Sequence, residues 1–368
     1  MDESPFYELP QSLVEEMLSK CDAISTSLST SFVNVIDKKE EYRSELSKLN
    51  LLCNDTNICH IYPTTCGIDG SYTMERLLSS DMVAMASIAI EGLTPPSEKR
   101  YWQTPRHLSD VKVISHSDST NVLIRAIMMD MELELANQAP HDVVFFDGSL
   151  TTPFIYLNQG LGQFSSVNNE ITAKLQSRIE SMLDNYKKIL QSEKSDQIFV
   201  GVPKYTTKKE ITENILKITG YEDRGFLTFI LKGGEYIKPI KISTPSSPWH
   251  LNLSGNYTDI VQQIISSLND IRIIYYRPND YFPAFRLEVS NSVASNNQRL
   301  AILLEAIKLQ CNVPGIMEPY PLYLADRMVK HLQTAIPAIR KTTTQEMAFK
   351  WKDNIGDIYL AMHAHRTG

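Results

Sequence analysis

Residues 11–50 are polar, with apolar positions spaced as on a helix: Leu13, Val14, Met17, Leu18, Ile24, Leu28, Val33, Val35 and Ile36. This pattern predicts one or two amphipathic helices, whose apolar stripe either packs on the body of the chain or pairs with another subunit. From residue 64 the texture changes. Short apolar runs at 66–69, 82–90, 111–115 and 142–147 predict strands, and the stretch 119–139, rich in helix formers, predicts a helix between the last two. A second long helix is predicted at 170–192, where Ile171, Leu175, Ile179, Leu183, Tyr186 and Leu190 recur at helical spacing. Further strands are predicted at 197–202, 226–231, 236–243, 271–277 and 285–289. Helices are predicted at 257–269, 297–310 and 321–335, and Pro321 suits the opening turn of the last, where no amide is needed. There is no repeat and no low-complexity tract. The pattern describes a mixed sheet flanked by helices, an α/β fold.

Within that pattern the acids stand out. In "DVVFFDGSL" (142–150) four apolar residues mark a strand buried on both faces, and Asp147 follows them directly. A carboxylate there must be paired, hydrogen-bonded or metal-bound. The same Asp-Gly-Ser triplet occurs at Asp69, in "TTCGIDGSY" (64–72). A lone triplet reads most simply as a turn Asp bonding its own loop. Two at strand ends can face one another if their strands are neighbours, and two close carboxylates repel unless a cation lies between them. All-oxygen ligation of that kind suits magnesium or manganese better than zinc.

The 119–139 helix adds Asp130, Glu132 and Glu134. Glu132 and Glu134 point roughly 160° apart on a helical wheel, so one site can take only one of them. The helix is apolar nearly all round, so periodicity does not choose between them, and either acid can simply be paired. In "EPYPLYLADRMVKH" (318–331), Asp326 falls at the edge of an apolar arc, where a carboxylate can reach inward or stay solvated. Acids from two strands and two helices are the arrangement by which two divalent ions activate a water and stabilise a leaving oxygen in phosphodiester cleavage. No G-x-S-x-G elbow, G-x-x-x-x-G-K-[ST] loop or H-E-x-x-H motif competes.

Composition narrows this picture only a little. The 368 residues are 42% hydrophobic and 21% charged, ordinary for a globular chain, and the formal charge of −7 excludes a uniformly basic DNA coat but not a local basic channel. No apolar run is long enough to span a bilayer, and the acidic "MDESPFYELP" lacks the features of a signal peptide, so a cytoplasmic protein is expected. The five cysteines do not form a disulfide pattern. Cys53, Cys59, His60 and Cys66 lack the spacing of a zinc hairpin, and reduced thiols are expected.

The two Asp-Gly-Ser strand ends, the acid-bearing helix before the second, "YYRPNDYFPAFRLEV" (275–289) and "CNVPGIMEPYPLYLADRMVKH" (311–331) together resemble the NurA nucleases, partners of the HerA-type hexameric DNA-translocating ATPase. The resemblance covers roughly 60–335 and rests on the order and spacing of these stretches. It implies a ribonuclease H-like core, placed at 61–340; the N-terminal helical extension at 1–60, a candidate dimerisation element from its amphipathic pattern, and the tail at 341–368 carry little of the resemblance. It also implies a manganese- or magnesium-dependent site of the two-ion type that cleaves DNA as a 5′-to-3′ exonuclease with single-strand endonuclease activity. The expected assembly is a homodimer docked on the ATPase ring, acting in DNA end processing or antiviral defence, with no membrane association.

Position by position, Asp69 and Asp147 match the first and second metal-binding Asp, Glu132 best matches the helix acid with Glu134 as the alternative, and Asp326 matches the late acid, where some relatives carry His. Lys204, in "VGVPKYTTKKE", matches a lysine after a core strand and is assigned a contact to the scissile phosphate or DNA, its alternative being a solvated loop charge. Arg277 and Arg286 match an "R…FRxEV" pattern and either contact phosphate or pair with Glu288. Lys208 and Lys209 beside Lys204, and Lys99, Arg100 and Arg106 beside Tyr101 and Trp102, offer phosphate and stacking contacts, or are solvated loops. The alternative functions are an inactive adaptor of the ATPase ring, or an RNA nuclease or phosphatase using the same carboxylates.

Overall fold

The computed structural model describes residues 6–55, 62–164, 170–194, 197–253, 255–351 and 354–363. Three helices come first: α1 (Gln11–Ser19), α2 (Cys21–Asp37) and α3 (Lys39–Lys48). Strand β1 (Leu52–Asn54) leads to β2 (Thr65–Arg76), β3 (Asp81–Glu91) and β4 (Arg106–Ile114), then α4 (Thr120–Gln138), β5 (Val143–Phe146), α5 (Thr152–Leu161), α6 (Glu170–Gln191) and β6 (Ile198–Gly201). The second half runs α7 (Asp223–Ile230), β7 (Glu235–Lys241), α8 (Thr258–Asn269), β8 (Arg272–Arg277), β9 (Phe285–Val289), α9 (Asn291–Ala294), α10 (Asn297–Gln310), α11 (Tyr320–Lys330), α12 (Leu332–Lys350) and α13 (Ile355–Ala361).

The strands form one nine-stranded mixed sheet in the order β1-β7-β8-β9-β6-β5-β2-β3-β4. The β4-β3-β2 end is an antiparallel meander, and β5 and β6 lie parallel to β2, reached by helical crossovers through α4 and through α5–α6. This five-stranded unit with helices on both faces is the ribonuclease H-like core that the family resemblance implied. Alternation along the strands feeds two layers. Ile68, Val83, Met85, Val144 and Phe146 pack on α4, α6 and α8. On the opposite face, Val143, Phe145 and Val200 meet Leu303, Ile307 and Leu322 of α10 and α11, while Met82 and Ala84 meet Ile336 and Ile358 of α12 and α13.

Three local expectations are corrected. Residues 226–231, β-rich in composition, lie largely in helix α7 rather than a strand. Glu222 caps the helix, accepting from the Gly225 and Arg224 amides at 2.8 and 3.0 Å, and Phe226, Leu227 and Ile230 form one buried face against Val35 and Leu46. The helix predicted at 321–335 breaks at His331, where the ladder tightens as His331 N–H bonds the Met328 carbonyl at 3.2 Å, and α12 restarts beyond it. β2 is also far longer than 66–69, because β3 pairs with it in unbroken register from Cys66 to Arg76.

Residues 11–50 do form helices, three rather than one or two. None of α1 is buried, and Leu13, Met17, Leu18, Ile24, Leu28, Val33 and Ile36 are each about half exposed. Cys21, Cys53, Cys66 and Cys311 are free thiols, whereas Cys59 and His60 lie outside the described residues. Among the described residues, no helix is long and apolar enough to cross a membrane.

Candidate active site

Parallel pairing brings the two Asp-Gly-Ser segments together. Thr65 lies opposite Val143 and Ile68 opposite Phe146, so the next residue on each chain is one of the two aspartates. The Asp147 amide extends the ladder by one bond, donating to the Ile68 carbonyl at 3.1 Å. The chains then part. Gly148 turns with φ +137°, a conformation strained for any residue with a Cβ, whereas Gly70 and Ser71 continue β2. Asp69 therefore sits inside its strand and not at its end; only its pairing with β5 stops there.

Asp326 reaches the pair from the helix layer on the opposite side from α4. Gly67 permits this approach: a Cβ there would lie 2.5 Å from the Pro321 carbonyl carbon and 2.6 Å from the Leu322 nitrogen, both backbone atoms of α11. One carboxylate oxygen each from Asp69, Asp147 and Asp326 fall within 4.8 Å of one another. Gly67→Ala should push α11 outward and carry Asp326 with it. Overpacking of this kind costs about 1–3 kcal/mol. We expect a lower melting temperature and at least roughly tenfold weaker manganese binding by calorimetry, about 1.4 kcal/mol.

Lys204, just beyond β6, is held among these acids. Its Nζ lies 2.7 Å from Asp147, 2.8 Å from Glu318 and 3.6 Å from Asp326. Burial works against the ammonium, but Asp147 and Glu318 outweigh it and its pKa rises, so Lys204 stays charged. Lys330, exposed on α11, pairs with Asp326 at 2.7 Å. These cations do not neutralise the cluster. Burial, then Asp147 and Asp326, push Asp69 up to about 8 against the opposing pull of Lys204 and the Gly70 amide. Asp147 and Glu318 are also raised, burial being the largest cause for each.

Glu132 approaches from the α4 side. It is buried, its carboxyl is pushed well above the usual range by burial and then by Asp69 and Asp147, and its Oε1 lies where a Gly70 Cβ would come within 2.5 Å. It is near enough to Asp69 and Asp147 to feel their charge, yet stands outside the three-carboxylate group. Glu134 points away and binds Arg178, which also holds Asp130 at 2.6 Å. The wheel left the choice between the two glutamates open; the packing places only Glu132 beside the aspartates.

The loop after Asp147 has its own support. Buried Glu288 accepts from Ser149 Oγ at 2.6 Å and the Leu150 amide at 3.0 Å, while Arg286 donates to it at 3.0 Å and to Glu210 at 2.9 Å. Arg286 is fully buried in this network, so it pairs with Glu288 and does not offer a phosphate contact. Arg277 is likewise occupied, donating to the carbonyls of Phe282, Leu231 and Asp280 at 2.7–2.9 Å and fastening the 278–284 turn. Trp102 is buried with its ring edge-on to His141 and its amide on Glu91, and so has no face for a base, although neighbouring Tyr101 is half exposed. Arg100 leans on Glu91 at 3.7 Å and Lys209 pairs with Glu213 at 2.6 Å.

Glu318 is the site residue that sequence reasoning missed. It sits just ahead of the proline-opened helix, in the same stretch that yielded Asp326, and only the position of Lys204 shows its role. The donor set as a whole is oxygen only, carboxylate-rich and under-compensated for charge. It fits a hard divalent cation such as manganese or magnesium, and not the nitrogen and sulfur preference of zinc.

A family model for the NurA domain matches residues 63–331. The chain belongs to the NurA family. Solved structures agree in fold. The NurA nuclease from Sulfolobus solfataricus is similar at 13% identity with a TM-score of 0.56, covering 94% of this chain and 99% of that one. A NurA structure bound to dAMP and manganese is similar at 12% identity with a TM-score of 0.51, covering 85% of this chain and 93% of that one. A NurA structure with manganese gives 12% identity and a TM-score of 0.52, covering 88% and 97%. Comparison with curated proteins gives no significant match. NurA membership and the oxygen cage together mark this chain as a metal-dependent nuclease.

Proposed function

We propose that this NurA-family chain is a manganese- or magnesium-dependent deoxyribonuclease, a 5′-to-3′ exonuclease with single-strand endonuclease activity. The observation that carries the reading is the convergence of Asp69, Asp147 and Asp326 around one small volume, with Lys204 beside it and Glu132 behind it. Asp69, Asp147 and Asp326 would hold the cation, with Glu132 adding a carboxyl that feels the charge of Asp69 and Asp147. A bound ion of this type acidifies a water and offsets negative charge on the attacking and leaving oxygens.

The chain's own side chains supply the rest. Lys204 presents a permanently charged ammonium at the acid cluster, where a non-bridging phosphate oxygen of the substrate would accept from it. Glu318 keeps Lys204 aligned at 2.8 Å while leaving Asp147 free to turn to the cation. Glu288 fixes the 148–150 loop, and with it the direction of Asp147. The test is cleavage of end-labelled single- and double-stranded DNA, RNA and a phosphomonoester with manganese, magnesium or chelator. Metal-dependent cleavage of DNA, with RNA and the monoester spared, is expected; hydrolysis of the monoester or RNA alone would replace this reading with another use of the same acids.

A pH effect follows from Asp69. Its carboxyl titrates near 8 in the folded, metal-free protein against an ordinary 3.8, so only the folded state holds this proton between those values. Stability of the metal-free protein should therefore fall as pH rises through that window. Metal must displace the proton, so calorimetry should show manganese affinity falling roughly 50–100-fold from pH 8.5 to pH 6, with proton uptake by the buffer. Affinity that is flat over this range would show that Asp69 holds no proton there, and would overturn the raised pKa rather than the ligand set.

The same reading includes a homodimer working with a HerA-type hexameric ATPase in end processing or antiviral defence. The apolar face of α1 and α2, left largely uncovered by the described residues, is the surface we assign to the dimer.

A further inference from the structure

A cavity lies beside the acid cluster and takes no part in the scheme above. It encloses about 300 Å³, and Lys204 and Glu318 form the wall it shares with the acids. Phe285 and Leu322 give it an apolar floor, and Tyr205, 95% exposed, stands with Met317 at its lip. Arg224 lines it as well, anchored by the Lys204 carbonyl and by the Ala284 carbonyl at 3.1 Å.

We propose that this cavity is a subsite for one unpaired nucleotide adjoining the scissile phosphate, with its base stacked against Tyr205 and its phosphate drawn by Arg224 and Lys204. The inference rests on the nuclease reading and adds the strand chemistry the site selects. Three features point to a nucleotide. The wall shared through Lys204 makes the occupant continuous with whatever group lies at the acids. The pairing of a free aromatic face with fixed cations is the chemistry that binds unpaired bases and their backbone. An apolar floor beneath a polar rim suits a base whose edges remain solvated. A base inside a duplex, stacked on both sides, cannot enter without leaving its stack. The cavity thus favours single-stranded ends or frayed termini. A nearly fully exposed tyrosine otherwise contributes little to the fold, so its removal separates binding from stability.

The test uses single-stranded oligonucleotides carrying one abasic residue at successive positions around a cleavage site, with manganese and the full-length protein. One abasic position should raise KM about tenfold for the parent, the scale of a lost aromatic stack. Tyr205→Ala should raise KM for the intact strand by a similar factor and become indifferent to the abasic residue, with Tyr205→Phe restoring both. Equal KM values at every abasic position for the parent, or undiminished sensitivity in Tyr205→Ala, would overturn the subsite. Should the parent cleave none of these strands, the nuclease reading fails by itself. The subsite is then judged by fluorescence anisotropy of the same strands in calcium, where the same tenfold loss and the same indifference of Tyr205→Ala are required.

Discussion

Replacing Asp147 with asparagine, or Asp69 with asparagine, is expected to lower metal-dependent DNA cleavage by at least about 10³-fold, because each change removes a carboxylate of the proposed metal site, worth several kcal/mol of transition-state stabilisation if it holds the ion. The fold should survive both changes. Each removes a like charge from a group of three carboxylates within 4.8 Å, and Asp69 is buried where ionisation is disfavoured. Metal-free Asp69→Asn should therefore melt no lower than the parent at about pH 8, while the stabilisation that manganese gives the parent disappears. Loss of activity through unfolding would show the opposite pairing: a lower melting point in chelator and a residual manganese shift. For Asp147 the exchange also frees Lys204 from its 2.7 Å contact, leaving Glu318 at 2.8 Å to hold it. Ordinary cleavage by either variant at saturating manganese would remove that aspartate from the site.

The second large effect distinguishes two acids on one helix. Glu132→Gln should cost about 10²-fold or more in cleavage rate, since a buried carboxyl beside Asp69 and Asp147 is lost from the acids that would serve the ion. Glu134→Gln should leave the rate within a fewfold of the parent, because that side chain serves Arg178 on the far side of α4. Its cost is structural, a fraction of a kcal/mol for a partly exposed pair. Glu132→Gln should in contrast leave metal-free stability about unchanged, because burial and the neighbouring aspartates already favour the neutral form of this carboxyl. Cleavage lost in Glu134→Gln and kept in Glu132→Gln would reverse the assignment.

These contrasts also show what could be read from the chain. Most of the strands, α4 and α6 followed from apolar spacing, because each is long or buried enough for periodicity to register. Asp69 and Asp147 were legible as a pair because the same triplet recurs after apolar runs. Their proximity depends on β2 and β5 being neighbours, which is a matter of topology rather than of local pattern. Glu132 against Glu134 could not be settled on a helix apolar all round; the rotation of α4 against Gly70 and β2 decides it. Helix α7 was hidden because "FLTFIL" favours a strand by composition, while the Glu222 cap and the burial of a single face act only once α2 and α3 are in place. Whether Arg286 met phosphate or Glu288, and whether Trp102 stacked on bases or covered the surface, stayed open because burial cannot be seen in a motif. Glu318 gave no signal apart from the lysine it meets, which lies more than a hundred residues earlier in the chain.

The most direct measurement of the central claim is manganese anomalous scattering from crystals of the wild-type protein soaked in manganese at about pH 8.5, where Asp69 is largely ionised. The expected result is an anomalous peak bounded by the carboxylates of Asp69 and Asp147, with Asp326 turned toward it and Lys204 drawn back onto Glu318. A map with no peak between residues 69 and 147, obtained from crystals whose protein still cleaves DNA with manganese, would contradict it.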